Sequence, residues 1–267
     1  MSKELEITIL GCGNSTGVPA IGNFWGNCDP NEPKNIRTRS SIAVKSKNTT
    51  IIIDTGPDFR AQMNRENISD LDAVLYTHHH NDHVLGMDEL RVLKFRNKKD
   101  KIPIYANPET IADIEIRFEY LFKGGAHTIY PPILETNIIT IDAHGKTMSV
   151  GDIAFIPFEQ DHGSCTSLGY RFGNFAYSVD ILNLDVQAIS SLKGIKTWLV
   201  DCAAYKDNNN AVHASINKII ALNEHIEAPK VILTSLSLVA DYQTLLKELP
   251  EGYEPAYDGM NFKSYIN

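Results

Sequence analysis

The stretch THHHNDH at residues 77–83 places four histidines and an aspartate in seven positions. Just upstream, DAVLYT (72–77) is an apolar, β-branched and aromatic run, which reads as a short buried strand. Downstream, HVLGMDELRVLKF (83–95) carries Val84, Leu85, Leu90, Val92 and Leu93 at mostly helical spacing. The histidines therefore sit where a strand ends and a helix begins, the place where α/β folds aim side chains at ligands. His78 and His80 lie two apart and point the same way if extended backbone persists, while Asp82 and His83 follow the chain as it turns. One loop can thus serve two neighbouring metal positions. Imidazole suits Zn, Fe, Mn or Ni, and the added carboxylate suits a hydrolytic centre better than a structural zinc site. The competing reading is a solvated, His-rich surface turn. His79, pointing away from its neighbours, is not expected to be a ligand.

The motif resembles the signature of the metallo-β-lactamase superfamily, whose fold is a four-layered αββα sandwich of the α/β class with one or two metals at the end of its two sheets. The resemblance implies that His78 and His80 bind a first metal and that Asp82 and His83 bind a second. It also demands a later His for the first site, an Asp bridging both, and a final His for the second. IPFEQDHGS (156–164) supplies His162 and GNFAYSVDI (173–181) supplies Asp180, each at the end of a strand-like run. The last demand fails, because VILTSLSLVADY (231–242) has Ser235 in the histidine's place. A serine hydroxyl is a poor ligand for Zn or Mn unless deprotonated, so the second position keeps Asp82, His83 and the shared Asp180. A weakened but usable second site is expected.

LGCGNSTGVP (10–19), CDPNEPKNIRTRSS (28–41) and DYQTLLKELPEGYEPAYDGM (241–260) are similar to the PhnP branch of that superfamily, phosphodiesterases that open small cyclic phosphates and are related to RNase Z enzymes. That branch carries an extra zinc on a cysteine cluster near the N-terminus. Here IGNFWGNCDP (21–30) keeps only Cys28 and the later position is Leu238, so that zinc is expected to be absent and the loop to be held by packing around Phe24 and Trp25. The branch also implies that His213 protonates a leaving alkoxide, a task that suits the unperturbed pKa of His. The competing role for His213 is a helix-start residue. Asp54, ending the run IIID, resembles the aspartate that orients the metal loop through hydrogen bonds. Arg37 and Arg39 are candidates for contact with substrate phosphate, or simply solvated cations.

Composition suits one compact enzyme domain spanning 1–267, with 43% hydrophobic residues to fill a core. No run of about 18 apolar residues exists, and the start moves directly from charged residues into a strand, which predicts no membrane association and a cytoplasmic location. Cys12, Cys28, Cys165 and Cys202 fall singly and read as thiols in a reducing compartment. The net charge of -8 makes nucleic acid an unlikely broad partner, although a metal pair can still hold a small anion. Expected helices cover PDFRAQM (57–63), 108–122, DVQAISSL (185–192) and HASINKIIALNEHI (213–226), and NIITID (137–142) reads as a strand. KGGAHTIYPP (123–132) reads as an excursion near the site.

Together these features predict a metal-dependent phosphodiesterase acting on a small cyclic or nucleotide-like phosphodiester through a metal-bound hydroxide, using one or two divalent ions, Zn or Mn. The catalytic residues expected are Asp82, which helps to orient the attacking water, and His213. The family commonly forms homodimers, so a homodimer is an expected partner state. The alternatives are an RNase Z-like nuclease and a non-catalytic binding or regulatory protein with a degenerate metal site.

Overall fold

A computed structural model of the chain describes residues 3–98, 100–123 and 131–266. Strands β1 (Lys3–Gly11), β2 (Ser41–Lys45), β3 (Thr50–Ile53), β4 (Ala73–Leu75), β5 (Ile102–Ala106) and β6 (Leu134–Ile138) run in order through a first sheet. A second sheet is built from β7 (Met148–Val150), β8 (Ile153–Asp161), β9 (Thr166–Phe172), β10 (Phe175–Ser178), β11 (Thr197–Asp201), β12 (Lys230–Thr234) and β13 (Tyr253–Pro255). The last strand, β14 (Asn261–Ile266), returns to the first sheet and pairs antiparallel with β1, from Lys3 opposite Ile266 to Thr8 opposite Asn261. Helices α1 (Phe59–Arg65), α2 (Asn81–Val84), α3 (Leu90–Asn97), α4 (Pro108–Arg117) and α5 (Glu119–Phe122) belong to the first half, and α6 (Val186–Leu192), α7 (Ile216–Ile226) and α8 (Tyr242–Glu248) to the second.

Strand alternation explains the four layers. Ile51, Ile53, Ala73 and Leu75 face the space between the sheets, where they meet Phe155, Tyr170, Phe172, Leu199 and Ile232. Their neighbours Ile52 and Val74 face the other way, onto Phe59, Met63, Leu90 and Ile111 of the helices. In the second sheet Leu199 and Ile232 point inward, while Trp198, Val200, Val231 and Leu233 pack with Ile219, Leu222 and Leu245. Strands buried on both faces need apolar side chains at every position, which is why IIID and TWLVD read as continuous hydrophobic runs. The αββα sandwich expected from the sequence is the fold observed.

Local departures from the sequence reading have local causes. The apolar run after His83 breaks at Gly86, where a Cβ would lie 2.2 Å from the carbonyl oxygen of Gly56; a 3-10 turn covers Met87–Glu89 and α-helix resumes at Leu90. The helix expected over 108–122 is interrupted at Phe118 (φ −120°), whose side chain is buried with the first-half helices. PDFRAQM begins its helix at Phe59, and the Asp58 carboxylate before it binds Arg39 instead of capping. Helix α7 starts at Ile216, with Ser215 accepting from the Lys218 amide, so His213 lies in the preceding loop. NIITID is strand only to Ile138, and Ile141–Ala143 forms a 3-10 turn. Residues 124–130 of the expected excursion, including His127, lie outside the described residues. All four cysteines are free, and among the described residues no helix is long and apolar enough to cross a membrane.

The N-terminal loop is fastened differently from expectation. Phe24 is 61% exposed and holds nothing down. The anchor is Arg37, only 2% exposed, whose guanidinium donates to Asn35 Oδ1 at 2.9 Å and to the Ser237 carbonyl at 3.4 Å and lies 3.8 Å from Cys28 Sγ. Asn35 in turn donates to Asp241 Oδ2 at 2.7 Å and accepts from the Tyr242 amide at 2.8 Å. A buried guanidinium needs several acceptors to offset its desolvation, and this network supplies them to Nη1 and Nη2 while Nε stays unpaired.

Replacing Phe155, which is buried between the sheets with ring neighbours Tyr105, Tyr170 and Phe172, tests the core. Phe155→Ala is expected to destabilise the fold by about 3–5 kcal/mol, read as a lower denaturant midpoint at unchanged slope. A loss below about 1 kcal/mol would show that the core between the sheets collapses freely around the vacancy.

Candidate metal centre

The candidate ligands come from the ends of strands in both sheets. Asp54 follows β3, residues 77–83 follow β4, His162 follows β8, Asp180 lies two beyond β10, and Ser235 follows β12. Three of these turn points, Asp54 (φ 63°), Asp180 (φ 52°) and Ser235 (φ 56°), have left-handed backbone. Aspartate tolerates that conformation better than most residues, and its cost of order 1–3 kcal/mol is carried where the surroundings dictate the geometry. The Asp180 carbonyl accepts from Ser167 Oγ at 2.9 Å, and the neighbouring Val179 carbonyl accepts from Gln160 at 3.0 Å.

The carboxylate of Asp180 is the meeting point. Its Oδ2 lies 3.4 Å from His78 Nε2, 3.3 Å from His83 Nε2 and 3.5 Å from His162 Nε2. His78, His80, His162 and Asp180 form one group of potential ligand atoms, and Asp82, His83 and Asp180 form a second. Two ligands held about 2.1 Å from a tetrahedral ion are themselves about 3.4 Å apart, so these spacings fit a cation between the side chains. His78 Nε2 is buried without a hydrogen-bond partner, a lone-pair atom that a cation would satisfy. The donor set therefore fits divalent ions at both groups.

The far side of each ring fixes which nitrogen faces inward. His83 Nδ1 lies 2.7 Å from Asp54 Oδ2, and His162 Nδ1 donates to the Val212 carbonyl at 2.8 Å. His78 Nδ1 lies 3.0 Å from Thr77 Oγ1, which donates to Asp54 Oδ2 at 2.8 Å, while the Thr77 amide donates to Asp54 Oδ1 at 2.8 Å. These contacts leave the three Nε2 atoms turned toward Asp180. Burial and the adjacent His83 push His78 down to about 3, which keeps it neutral as a ligand must be. For His83, burial is outweighed by Asp82, Asp54 and Asp180, and its pKa rises: in the absence of a metal, the imidazolium is the cation these carboxylates collect. Burial pushes the Asp54 carboxyl up, against the opposing pull of His83.

The metal loop is placed by close packing. A Cβ on Gly56 would lie 2.1 Å from the Asp82 carbonyl oxygen, so only glycine lets the 54–56 turn lie against the helix carrying Asp82 and His83. From the second sheet, Tyr170 donates its hydroxyl to the Tyr76 carbonyl at 2.6 Å, and the Leu168 amide donates to the Thr77 carbonyl at 2.8 Å.

A cavity of about 140 Å3 opens onto the cluster, lined by Ser15, His80, Asp82, His162, Asp180, Val212 and His213. His213 Nδ1 lies 2.8 Å from Asp201 Oδ2, and Asp201 is fully buried at the end of β11. Burial disfavours the imidazolium of His213, but Asp201 outweighs it and raises the pKa to about 9. Sequence reading missed Asp201. Its signal was present, since TWLVD repeats the apolar-run-then-aspartate pattern of IIID at Asp54.

The other candidates fall elsewhere. Arg37 is spent in the buried loop anchor, away from the cavity, so its expected contact with substrate is corrected by its burial and its bonds to Asn35 and Ser237. Arg39 is partly exposed, paired through Nη1 with both oxygens of Asp58 at 3.1 and 3.0 Å, and its Nε donates to the Ser15 carbonyl at 3.3 Å. It reaches the cavity through Ser15. The imidazole of His79 is half-buried outside both ligand groups, and its carbonyl accepts from Arg117.

A beta-lactamase superfamily domain is matched over residues 49–234, the span from Asp54 to the end of β12 that carries all these ligands. The chain belongs to the beta-lactamase superfamily. An octanoyltransferase of Porphyromonas gingivalis is 31% identical over 260 residues, covering 96% of this chain and 51% of that protein. A ribonuclease Z of Gemmatimonas aurantiaca is 26% identical over 155 residues, covering 57% of this chain and 47% of the enzyme. The chain thus spans about half the length of these curated relatives. Among solved structures, a diphosphatase from the PhnP family superposes with a TM-score of 0.87 at 29% identity, covering 100% of this chain and 99% of the other.

Asp54 touches the metal loop and none of the cavity, which makes it a clean probe of the support beneath the ligands. Asp54→Asn is expected to weaken metal affinity about 10- to 100-fold, measured by competition with a chelating dye. Unchanged affinity would show that the loop is shaped without it.

Proposed function

We propose that the chain is a metal-dependent phosphodiesterase acting on a small cyclic or nucleotide-like phosphodiester, with a weakened second metal position because Ser235 stands where a third ligand is expected. The observation carrying this reading is that the Asp201–His213 pair opens onto the same small cavity as both ligand groups. An acid whose partner holds it protonated at neutral pH, beside a centre of carboxylates and imidazoles, suits cleavage of an ester with a poor leaving group.

His78, His80, His162 and Asp180 would hold a first ion, and Asp82, His83 and Asp180 a second. When bound, such ions supply neutralisation for phosphoryl oxygens and a more acidic water as nucleophile. The chain's own residues do the rest. Asp82 and Asp180, on the cavity wall, would accept hydrogen bonds from an attacking water and orient it. His213 donates a proton to the departing oxygen, and Asp201 holds its ring in place. A cavity of about 140 Å3 admits one phosphate ester and no duplex, which favours a small substrate over broad nucleic-acid capture.

Two measurements test this reading. In protein purified without added metal, metal content per chain is determined together with hydrolysis of bis(p-nitrophenyl) phosphate with and without Mn or Zn. Turnover that rises with metal is expected, and Ser235→His should tighten the second ion at least about tenfold. No turnover at any metal loading would overturn the catalytic reading in favour of a binding or regulatory role.

His213→Ala separates leaving groups. Hydrolysis of an alkyl phosphodiester is expected to fall about 10^2- to 10^4-fold, while a p-nitrophenyl ester, whose leaving group needs no proton, falls far less. Equal losses on both would remove His213 from the proton-donating role.

A further inference from the structure

Each imidazole of the centre has one nitrogen turned toward the ion positions and one turned away, and the partner of the outer nitrogen decides how firmly the ring is aimed. For His83, His162 and His78 that partner is an oxygen, of Asp54 at 2.7 Å, of Val212 at 2.8 Å and of Thr77 at 3.0 Å. His80 differs. Its Nε2 lies 3.9 Å from Cys165 Sγ, and among the described residues no oxygen takes that place. The sulfur belongs to neither ligand group, so the nitrogen it meets is the outer one, and Nδ1 is the atom His80 contributes beside the unpartnered Nε2 of His78.

Cys165 is half-buried, whereas Cys12, Cys28 and Cys202 are buried. It sits in the turn 162–165 between β8 and β9, whose first residue is itself a candidate ligand. The turn is firmly placed. The His162 amide donates to the Cys165 carbonyl at 3.0 Å, the Gly163 amide donates to Asp161 Oδ1 at 2.8 Å, and at Gly163 (φ 74°) a Cβ would lie 2.3 Å from the Ala211 carbonyl oxygen. His80 arrives from the other sheet, after β4. One turn therefore supplies His162 to the first ion position and sets a sulfur against the back of His80. A thiol is a weak donor and a weak acceptor compared with a carboxylate, carbonyl or hydroxyl, so His80 is the ligand whose ring is aimed least firmly.

We infer that Cys165 is a positioning residue of the first metal position: it aims His80 from the opposite sheet, and the softness of this one contact limits how tightly His78, His80, His162 and Asp180 hold an ion. The inference rests on the metal-dependent part of the proposed function and not on the reaction or the substrate. It also says what would strengthen the centre. A carboxamide oxygen at position 165 lies one bond further from Cβ than the sulfur does and is a stronger acceptor for the outer N–H of His80.

Cobalt binding tests this without substrate. Metal-free protein is titrated with Co2+, with affinity read by competition with a chelating dye and ligand geometry read from the visible absorption of the bound ion. In Cys165→Ala the first equivalent is expected to bind about tenfold more weakly and with an altered spectrum, while the circular dichroism spectrum is unchanged. In Cys165→Asn, which adds no charge, affinity should return to the wild-type level or above it. Wild-type affinity and spectrum in Cys165→Ala, a loss confined to the second equivalent, or a Cys165→Asn protein as weak as Cys165→Ala would overturn the inference. A wild-type protein that takes up no Co2+ would retire the metal-dependent reading and the inference together. One that shows the expected pattern yet cleaves no phosphodiester would retire the phosphodiesterase reading and leave Cys165 in its role.

Discussion

One carboxylate oxygen facing three imidazole nitrogens is the constraint around which the site is arranged. Asp180 Oδ2 lies 3.3–3.5 Å from His78, His83 and His162, too far for good hydrogen bonds and well placed for ligands sharing an ion. Such a cluster is costly to bury, because each charged group loses its water and the carboxylates repel one another. The neighbouring structure resists the rearrangement that would relieve it. Asp180 is pinned in left-handed backbone, Val212 turns His162, and Asp54 turns His83 and fastens Thr77. The protein holds the negative and lone-pair groups together in a geometry that fits a shared cation.

That arrangement depends on the sandwich. Ligands arrive from both sheets, so their separation is set by how the sheets pack through Phe155, Tyr170, Phe172 and the isoleucines of β3. Tyr170 makes the coupling explicit: its ring lies in the core between the sheets and its hydroxyl holds the carbonyl of Tyr76, one residue before the metal loop begins. Gly56 contributes on the helix side, where the absence of a Cβ allows contact with Asp82. Core packing and ligand geometry are therefore parts of one structure.

What could be read from the sequence followed from how local each signal was. The metal loop is marked by its own histidine spacing after an apolar run, whereas His162 and Asp180 were picked out because the family resemblance demands a later His and a later Asp at strand ends. Asp201 also follows an apolar run, in TWLVD, but has no histidine beside it in sequence. Its partner His213 is reached only because β11 lies parallel to β10 and the 203–215 loop folds back onto Ile181. Arg37 was misread because an arginine in a loop with a second arginine nearby resembles a solvated or phosphate-binding one, and its burial is revealed only by the distant segment containing Ser237 and Asp241. Phe24 was misassigned for the complementary reason, that an aromatic residue in a loop need not find a core.

The Arg37 anchor has one more consequence. The N-terminal loop is tied to the segment after β12 by a guanidinium, an amide and a carboxylate, groups whose attachment is covalent to the chain and independent of any dissolved ion. Scaffold integrity and cofactor supply are thereby uncoupled on that side of the molecule. The architecture on that side is therefore closed by the polypeptide's own side chains, with no place in it for an ion to act as a fastener.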